Sequence, residues 1–424
     1  MGPLSATAFV LISLVKVIVV FTVIMVVVAL MTLAERRVAA WIQDRSGPNR
    51  VGPWGILQPL ADGLKNLLKE ENLPGAASAG LFFAAPMIAI FPALVLFAVI
   101  PFASPLPTRW GLVPMIVADI PVGFLYIVAL ASLGVYGLFL AGWASNSKYA
   151  LLGGLRASAQ MISYEVGLGL SLVPILMLAG NVSLPAIVGQ QQELGVWYVF
   201  PLLLAFTFFI VSAFAETNRL PFDMPEAESE LVTGYHTEYS SMKFSMFFIA
   251  EFSNVLTQSA LMATFFLGGW DIPFWSGDNM RALADGTIVG ATPALWKTLL
   301  TLGAFALKTG FFVFVFIWVR WTLPRFRYDQ VMALGWKVLI PLLVAYIAIQ
   351  GGAMLGLQAG GIDSGRTYAL ALFGLNFVLL ALLLFWLDRG RVIRGSWGAS
   401  RRRTQLIARA PENVGAASEE AAAV

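Results

Sequence analysis

Residues 8–33 read A-F-V-L-I-S-L-V-K-V-I-V-V-F-T-V-I-M-V-V-V-A-L-M-T-L, a run of 26 in which Lys16 carries the one charge. Crossing the roughly 30 Å hydrocarbon core of a bilayer takes about 20 apolar residues in a helix, because every backbone N–H and C=O must be paired where no water reaches. This run is long enough to cross at a tilt. It is too long for the core of a secretory leader and has neither a basic start nor a small-residue cleavage site, so it is expected to stay as a membrane helix. Eight more stretches of this kind follow, near 81–101, 115–141, 159–179, 197–215, 243–267, 297–319, 337–357 and 368–387. The expected fold is all-α and integral to a membrane, with about nine crossings forming a single transmembrane domain over residues 1–387.

Composition agrees. The chain has 424 residues, 58% of them apolar and 12% charged, and a mean hydropathy of +0.79. Soluble domains carry about 25% charged residues, so soluble, fibrous and nucleic-acid-binding classes are excluded. With no cysteine and one histidine, disulfides, thiol catalysis and cysteine-ligated iron–sulfur clusters cannot be built from this chain. No metal site is expected, and any redox centre has to sit on a partner.

Nine crossings put the termini on opposite sides, and the basic residues indicate which. Of the 27 Lys and Arg, 21 fall in one set of loops plus the C-terminal tail and four on the other side, with Lys16 and Lys308 inside spans. The positive-inside rule then places the N-terminus outside and the C-terminus in the cytoplasm. Residues 388–424, first Arg-rich and then rich in Ala and Glu, cannot bury apolar surface and read as a disordered tail.

Acidic residues are concentrated. Glu216, Asp223, Glu226, Glu228, Glu230 and Glu238 lie within residues 216–240, where Arg219 is the sole Lys or Arg. Pro221 and Pro225 forbid a continuous helix there. Glu165 and Glu251 sit some 10–12 Å inside their spans, and a carboxylate at such depth costs several kcal/mol unless protonated, paired or hydrated. Lys308 reaches a similar level and reads as a counter-charge to Glu251. Carboxylates crowded in a low dielectric cannot all ionise, so they would titrate as a coupled set able to pass protons. The bland alternative is that Glu165 and Glu251 are simply paired with basic residues across helices.

Residues 34–72 form the other unusual loop. The basic run A-E-R-R-V-A-A-W-I-Q-D-R-S-G-P-N-R-V-G-P at 34–53 precedes a segment in which Leu57, Leu60, Leu64 and Leu67 recur at helical spacing while Asp62, Lys65, Asn66 and Lys69 take the other face. That helix is too short and too charged to span, so it is expected to lie in the cytoplasmic interface. An amphiphile with a polar head and a long apolar tail would need such a gateway.

Five stretches carry a resemblance: residues 35–53, L-Q-P-L-A-D-G-L-K-N-L-L-K-E-E at 57–71, A-G-W-A-S-N-S-K-Y-A-L-L-G-G-L-R-A-S-A-Q-M-I-S-Y-E-V at 141–166, A-E-T-N-R-L-P-F-D-M-P-E-A-E-S-E-L-V-T-G-Y-H-T-E-Y-S at 215–240 and R-W-T-L-P-R-F-R-Y-D-Q-V-M at 320–332. In this order they resemble the NuoH family, the quinone-site membrane subunit of bacterial NADH:quinone oxidoreductase, respiratory complex I. The resemblance runs from about residue 8 to 357. It implies a bacterial plasma-membrane subunit that closes a quinone chamber against peripheral subunits and couples quinone reduction to proton translocation. FMN, the iron–sulfur clusters and the quinone head-group ligands would belong to those partners, with quinone, menaquinone or ubiquinone, as substrate. Antiporter-like and small membrane-arm subunits would be further neighbours. By motif position Arg36, Gln43, Arg45, Arg50, Asp62, Arg219, Asp223 and Glu226 would shape the chamber. Glu165, Glu216, Glu228, Glu230 and Glu251, with Lys308, would form the proton relay. His236 is expected to be a loop-packing residue. The membrane subunit of energy-converting hydrogenases and a stand-alone secondary transporter are rival readings. The complete first-loop motif opposes the former, and the lack of inverted repeats opposes the latter.

Overall fold

Helix α1 (Ala6–Ile42) has 37 residues and is about 55 Å long at 1.5 Å per residue. In this computed structural model it does not stop where the apolar run ends at Leu33. No breaker follows until Ser46-Gly47-Pro48, so the helix carries Glu35 and Arg36 onward as part of one rod. The structure describes residues 6–108, 111–225, 232–273, 275–278, 280–282, 288–290, 292–362 and 365–388. Glu226, Glu228, Glu230 and the tail from residue 389 lie outside them.

The other helices are α2 (Gln58–Leu68), α3 (Ala79–Val95), α4 (Gly123–Ala144), α5 (Lys148–Ala179), α6 (Leu184–Leu194), α7 (Leu203–Glu216), α8 (Ser241–Phe266), α9 (Leu295–Thr322), α10 (Tyr328–Ala333), α11 (Ile340–Ala359) and α12 (Arg366–Asp388). A π-helical turn at Leu334–Leu339 joins α10 to α11. Residues 1–376 form one compact unit and 377–424 a second, whose described part is the last stretch of α12.

Seven helices among the described residues are long and apolar enough to cross a membrane, matching seven of the nine expected stretches. The other two differ in an instructive way. The fifth shortens to the 14 residues of α7, because residues 197–202 form turns in which the Tyr198 N–H donates to Gln191 Oε1. The sixth, α8, has ample length at 26 residues but is rich in Ser, Thr, Asn and Gln. From Phe252 to Phe266 nearly every residue of α8 is buried in protein, so its polar side chains face neighbouring helices and the lipid rule does not apply to them.

The fold is not purely helical. Ala103–Thr108 (β1) pairs antiparallel with Gly111–Met115 (β2), and Met280–Ala282 (β3) with Ile288–Gly290 (β4). The third stretch therefore begins its helix at Gly123, eight residues later than hydropathy indicates. α6, between the fourth and fifth stretches, is a further helix that hydropathy does not indicate.

Two glycines set close approaches. Gly55 has φ +74, and a Cβ there would meet the Pro48 carbonyl oxygen at 2.4 Å; the residue closes the turn that leads into α2. A Cβ on Gly153 would lie 2.6 Å from Gly234 Cα, so the acidic loop folds back directly onto α5. Around that contact an apolar cluster forms from Phe82, Ala89, Leu138, Met161, Tyr235, Tyr239 and Phe247, with the Phe82 and Tyr239 rings stacked at 4.0 Å. Most described residues of 216–225 and 234–240 are packed against the helices, while Val232 is exposed.

Candidate functional site

Along α1 the residues Ile24, Val28, Met31, Glu35 and Ala39 are all buried. Their spacing of three and four places them on one face, so Glu35 is turned inward while Arg36 is turned out. On α9 the same spacing runs through Phe305, Thr309, Phe312 and Phe316 and continues to Arg320. The two faces meet: Arg320 Nη1 donates to Glu35 Oε1. Arg219, at 5% exposure, donates from Nη1 to Glu35 Oε2 at 3.1 Å and from Nε reaches Glu251 Oε1 at 2.8 Å. Its guanidinium also lies 4.4 Å from the centroid of Phe252, a cation–π contact strengthened by desolvation. Arg325 Nη2 donates to Asp223 Oδ2 at 2.8 Å.

Three carboxylates thus meet three guanidiniums, drawn from α1, the loop after α7, α8 and the end of α9. This corrects the expectation that Lys308 is the counter-charge of Glu251. Glu251 is paired with Arg219, and Lys308 is bound elsewhere. Burial nevertheless dominates at Asp223, whose carboxyl is pushed up from the ordinary value despite the opposing pull of Arg325, Arg320 and Arg219.

The irregular backbone after α7 is held from α5. Gln160 Nε2 donates to the carbonyls of Ala215 at 2.8 Å and Phe222 at 2.7 Å. Tyr164 OH donates to the Val331 carbonyl at 2.9 Å, and its ring packs on Phe222, which in turn packs on Phe326. The Phe326 N–H donates to the Pro221 carbonyl at 3.1 Å, which joins the 320–332 motif to the 215–240 motif. Buried backbone groups need such partners.

A second set of carboxylates adjoins the first. Glu216 ends α7 and is 9% exposed. Glu165 on α5 accepts a hydrogen bond from Ser132 on α4. Among the described residues neither is ion-paired. A cavity of about 30 Å³ is lined by Glu216, Glu251, Asn254, Asn218 and Met161, room for a water between the ion-paired set and the cation-free set.

The first-loop residues are arranged differently. Arg36 Nη1 meets Asp62 Oδ2 at 2.6 Å, fixing α2 to α1, and within α2 Gln58 Nε2 donates to Asp62 Oδ1 at 3.1 Å. Ser240 and Ser241 donate to the carbonyls of Glu70 and Asn66, fixing α2 to α8. Gln43, Arg45 and Arg50 are exposed, with Arg45 Nε donating to Gln43 Oε1 at 2.7 Å. Trp54, Leu60, Leu67 and Leu68 present bare apolar surface, as an interfacial helix requires. His236 is half-buried and packs edge-on against Tyr235 and Phe244; desolvation pushes it down to about 4.

Glu35, Arg320 and Arg325 are site residues that motif reading did not single out. The helical periodicity of buried positions on α1 and α9 is the signal that marks the first two. Arg325 follows a proline in a non-helical segment and carries no comparable signal.

The family described as NADH dehydrogenase matches residues 15–351, a span that contains every residue of both carboxylate sets. This chain belongs to that family. Relatives of the NuoH type share its sequence closely. The NADH-quinone oxidoreductase H-type subunit 1 of Geobacter metallireducens is 49% identical over 344 residues, covering 81% of this chain and 97% of the relative. The H-type subunit 2 of the same enzyme from Geobacter sulfurreducens is 49% identical over 340 residues, 80% of this chain and 95% of the relative. That of Koribacter versatilis, also numbered 2, is 47% identical over 358 residues, 81% and 97%. Beyond the matched region, which ends at residue 351, lie the last turns of α11, all of α12 and the tail.

Proposed function

We propose that this chain is the membrane subunit of a proton-pumping NADH:quinone oxidoreductase that closes the quinone chamber with peripheral subunits and couples quinone reduction to proton movement through its buried carboxylates. The chain crosses the bacterial plasma membrane nine times, with the N-terminus outside and the loops at 34–72 and 216–240 in the cytoplasm. Its partners hold FMN, the iron–sulfur clusters and the ligands of the quinone head group, and antiporter-like subunits continue the membrane arm. Arg36, Asp62, Arg219 and Asp223, with exposed Gln43, Arg45 and Arg50, face the chamber from this side, and Glu226 belongs to the same loop.

The observation that carries this reading is the junction of two carboxylate sets with different charge balance. Glu35, Glu251 and Asp223 are each matched by an arginine, so an anion forming at the loop surface would compete for those guanidiniums. Glu251, released from Arg219 even in part, would gain affinity for a proton. Glu216 and Glu165 have no cation to lose and can supply that proton across the small cavity, with Glu228 and Glu230 in the same acidic loop. The charge change at the chamber thereby becomes a proton displacement inside the helices, the step that antiporter-like neighbours would amplify.

The test is Glu216→Gln in the assembled enzyme, a change that keeps shape and removes the proton. NADH-driven acidification of membrane vesicles should fall several-fold, while NADH oxidation by ferricyanide, which needs only the partners' redox centres, should be unchanged. Full pumping in the variant defeats the relay.

A further inference from the structure

At the end of the helices opposite the acidic loop lies a cavity of about 510 Å³, within the range of functional pockets and far larger than those beside Glu216. It is formed where α3, α5 and α8 end and α4 begins, and α6 walls one side. Asp119, Asn181, Ser183 and Gln190 line it, and so do Gln192 and Trp270. Gln192 and Trp270 are 9% and 6% exposed; the Gln192 side chain neighbours the Asp271 carboxylate, and Trp270 Nε1 has no hydrogen-bond acceptor among the described residues. The rest of the wall is largely apolar, with Pro101, Ala103, Pro114 and Ile116, and a buried donor there is costly unless water or a ligand accepts from it. Since no cationic side chain lines the cavity among the described residues, water suits it better than an anion.

Directly behind Trp270 is a titratable group of residues that the proton coupling proposed above leaves unused. Lys308 Nζ donates to the carbonyls of Leu267 at 2.6 Å, of Gly269 at 3.1 Å and of Asp271, and lies 4.4 Å from the Trp197 ring centroid. Trp197 Nε1 donates to Asp271 Oδ2 at 2.8 Å, and the Ile272 N–H donates to Asp278 Oδ2 at 2.8 Å. Asp278 is fully buried, and its other oxygen has no side-chain partner among the described residues. Burial raises both carboxyls, Asp278 to about 6. α8 runs between this group and the other carboxylates, and its Thr257 and Gln258 line a small cavity with Glu216. Gln191, next to Gln192, donates to the Thr264 carbonyl at 3.1 Å.

We propose that the cavity is a water-filled vestibule open to the outer face, and that Asp271 beside it is the outward end of a proton path through this chain. In the step, the Asp271 carboxyl breaks its O–H bond and passes the proton to a vestibule water. The hydronium leaves to the outer phase, and the ammonium of Lys308 compensates the carboxylate until a proton from the Glu216 side restores it. No electron moves, and one proton enters for each that leaves. The inference rests on the proton-coupling reading above, but the two can fail separately.

The chain has no cysteine of its own, so Gln192→Cys gives this protein one thiol. In vesicles holding the assembled enzyme, a membrane-impermeant thiosulfonate should label that thiol when applied to the outer face and not when applied to the cytoplasmic face. Labelling only from the cytoplasmic face, or none from either, overturns the vestibule. Asp271→Asn should lower protons pumped per NADH at least three-fold, and Asp271→Glu should restore most of it. Because Asp271 also holds Trp197, enzyme content is measured by bound flavin and pumping is expressed per assembled complex. If Glu216→Gln abolishes pumping while assembled Asp271→Asn pumps fully, the exit is wrong and the coupling reading stands. If Glu216→Gln pumps fully, the coupling reading falls first.

Discussion

The two ends of the helices solve the same problem, a buried charge, in opposite ways. At the loop end Arg219 meets two carboxylates carried by α1 and α8, while Arg320 and Arg325 arrive from the far end of α9. At the other end Lys308 is met chiefly by backbone carbonyls of the turn that ends α8. Side-chain pairs drawn from distant segments can be broken and remade when a neighbour's charge changes. Carbonyls at a helix terminus, which carry the negative end of the helix dipole, are fixed by the fold. The first arrangement suits a sensor of charge, the second a stable anchor beside a carboxylate that does the moving.

Removing the guanidinium tests this contrast most severely. Arg219→Ala leaves Glu35 and Glu251 with one cation between them, and breaking a buried pair this way costs about 3–5 kcal/mol. The amount of this protein in the membrane and quinone-linked NADH oxidation should both collapse. Arg219→Lys should not rescue them, since one ammonium cannot serve two carboxylates with the arginine's geometry.

Lys308→Met should cost less, about 1–3 kcal/mol for carbonyls left without a donor, seen as a lower unfolding midpoint in detergent. A loss as large as that of Arg219→Ala would erase the distinction between the two ends. Asp223→Asn breaks a pair whose arginine is one-third exposed, so stability should change by under about 1 kcal/mol, while the apparent affinity for quinone should weaken. Smallest is the effect of His236. Its folded value is depressed to about 4, so its contribution is complete above about 6.5, the unpaired histidine value, and is lost as the pH falls through 4. The thermal midpoint of His236→Phe should therefore decline less between pH 6.5 and 4 than that of the parent chain.

Much of this architecture was legible from hydropathy, because the demand of hydrocarbon on the backbone is local and additive along a helix. Where that reading slipped, the cause was tertiary. α8 is too polar for a lipid-facing span, yet its polar residues are surrounded by other helices. α7 is short because residues 197–202 are tied to Gln191. Glu165 and Glu251 stood out as carboxylates within apolar runs and Glu216 as the first of the acidic loop, signals present in the chain itself. Glu35 did not, since it follows the apolar run and resembles the first residue of a charged loop. Only the continuation of α1 to Ile42 turns it inward.

What the chain alone determined is which segments are apolar, which side carries the bases and where acids are out of place, since each is a sum over neighbouring residues. Which acid meets which base was decided only by tertiary structure. The choice of Arg219 over Lys308 as partner of Glu251 depends on how helices far apart in the chain are brought to the same depth. Coulomb energy falls with distance in space, and spacing along the chain does not measure that distance.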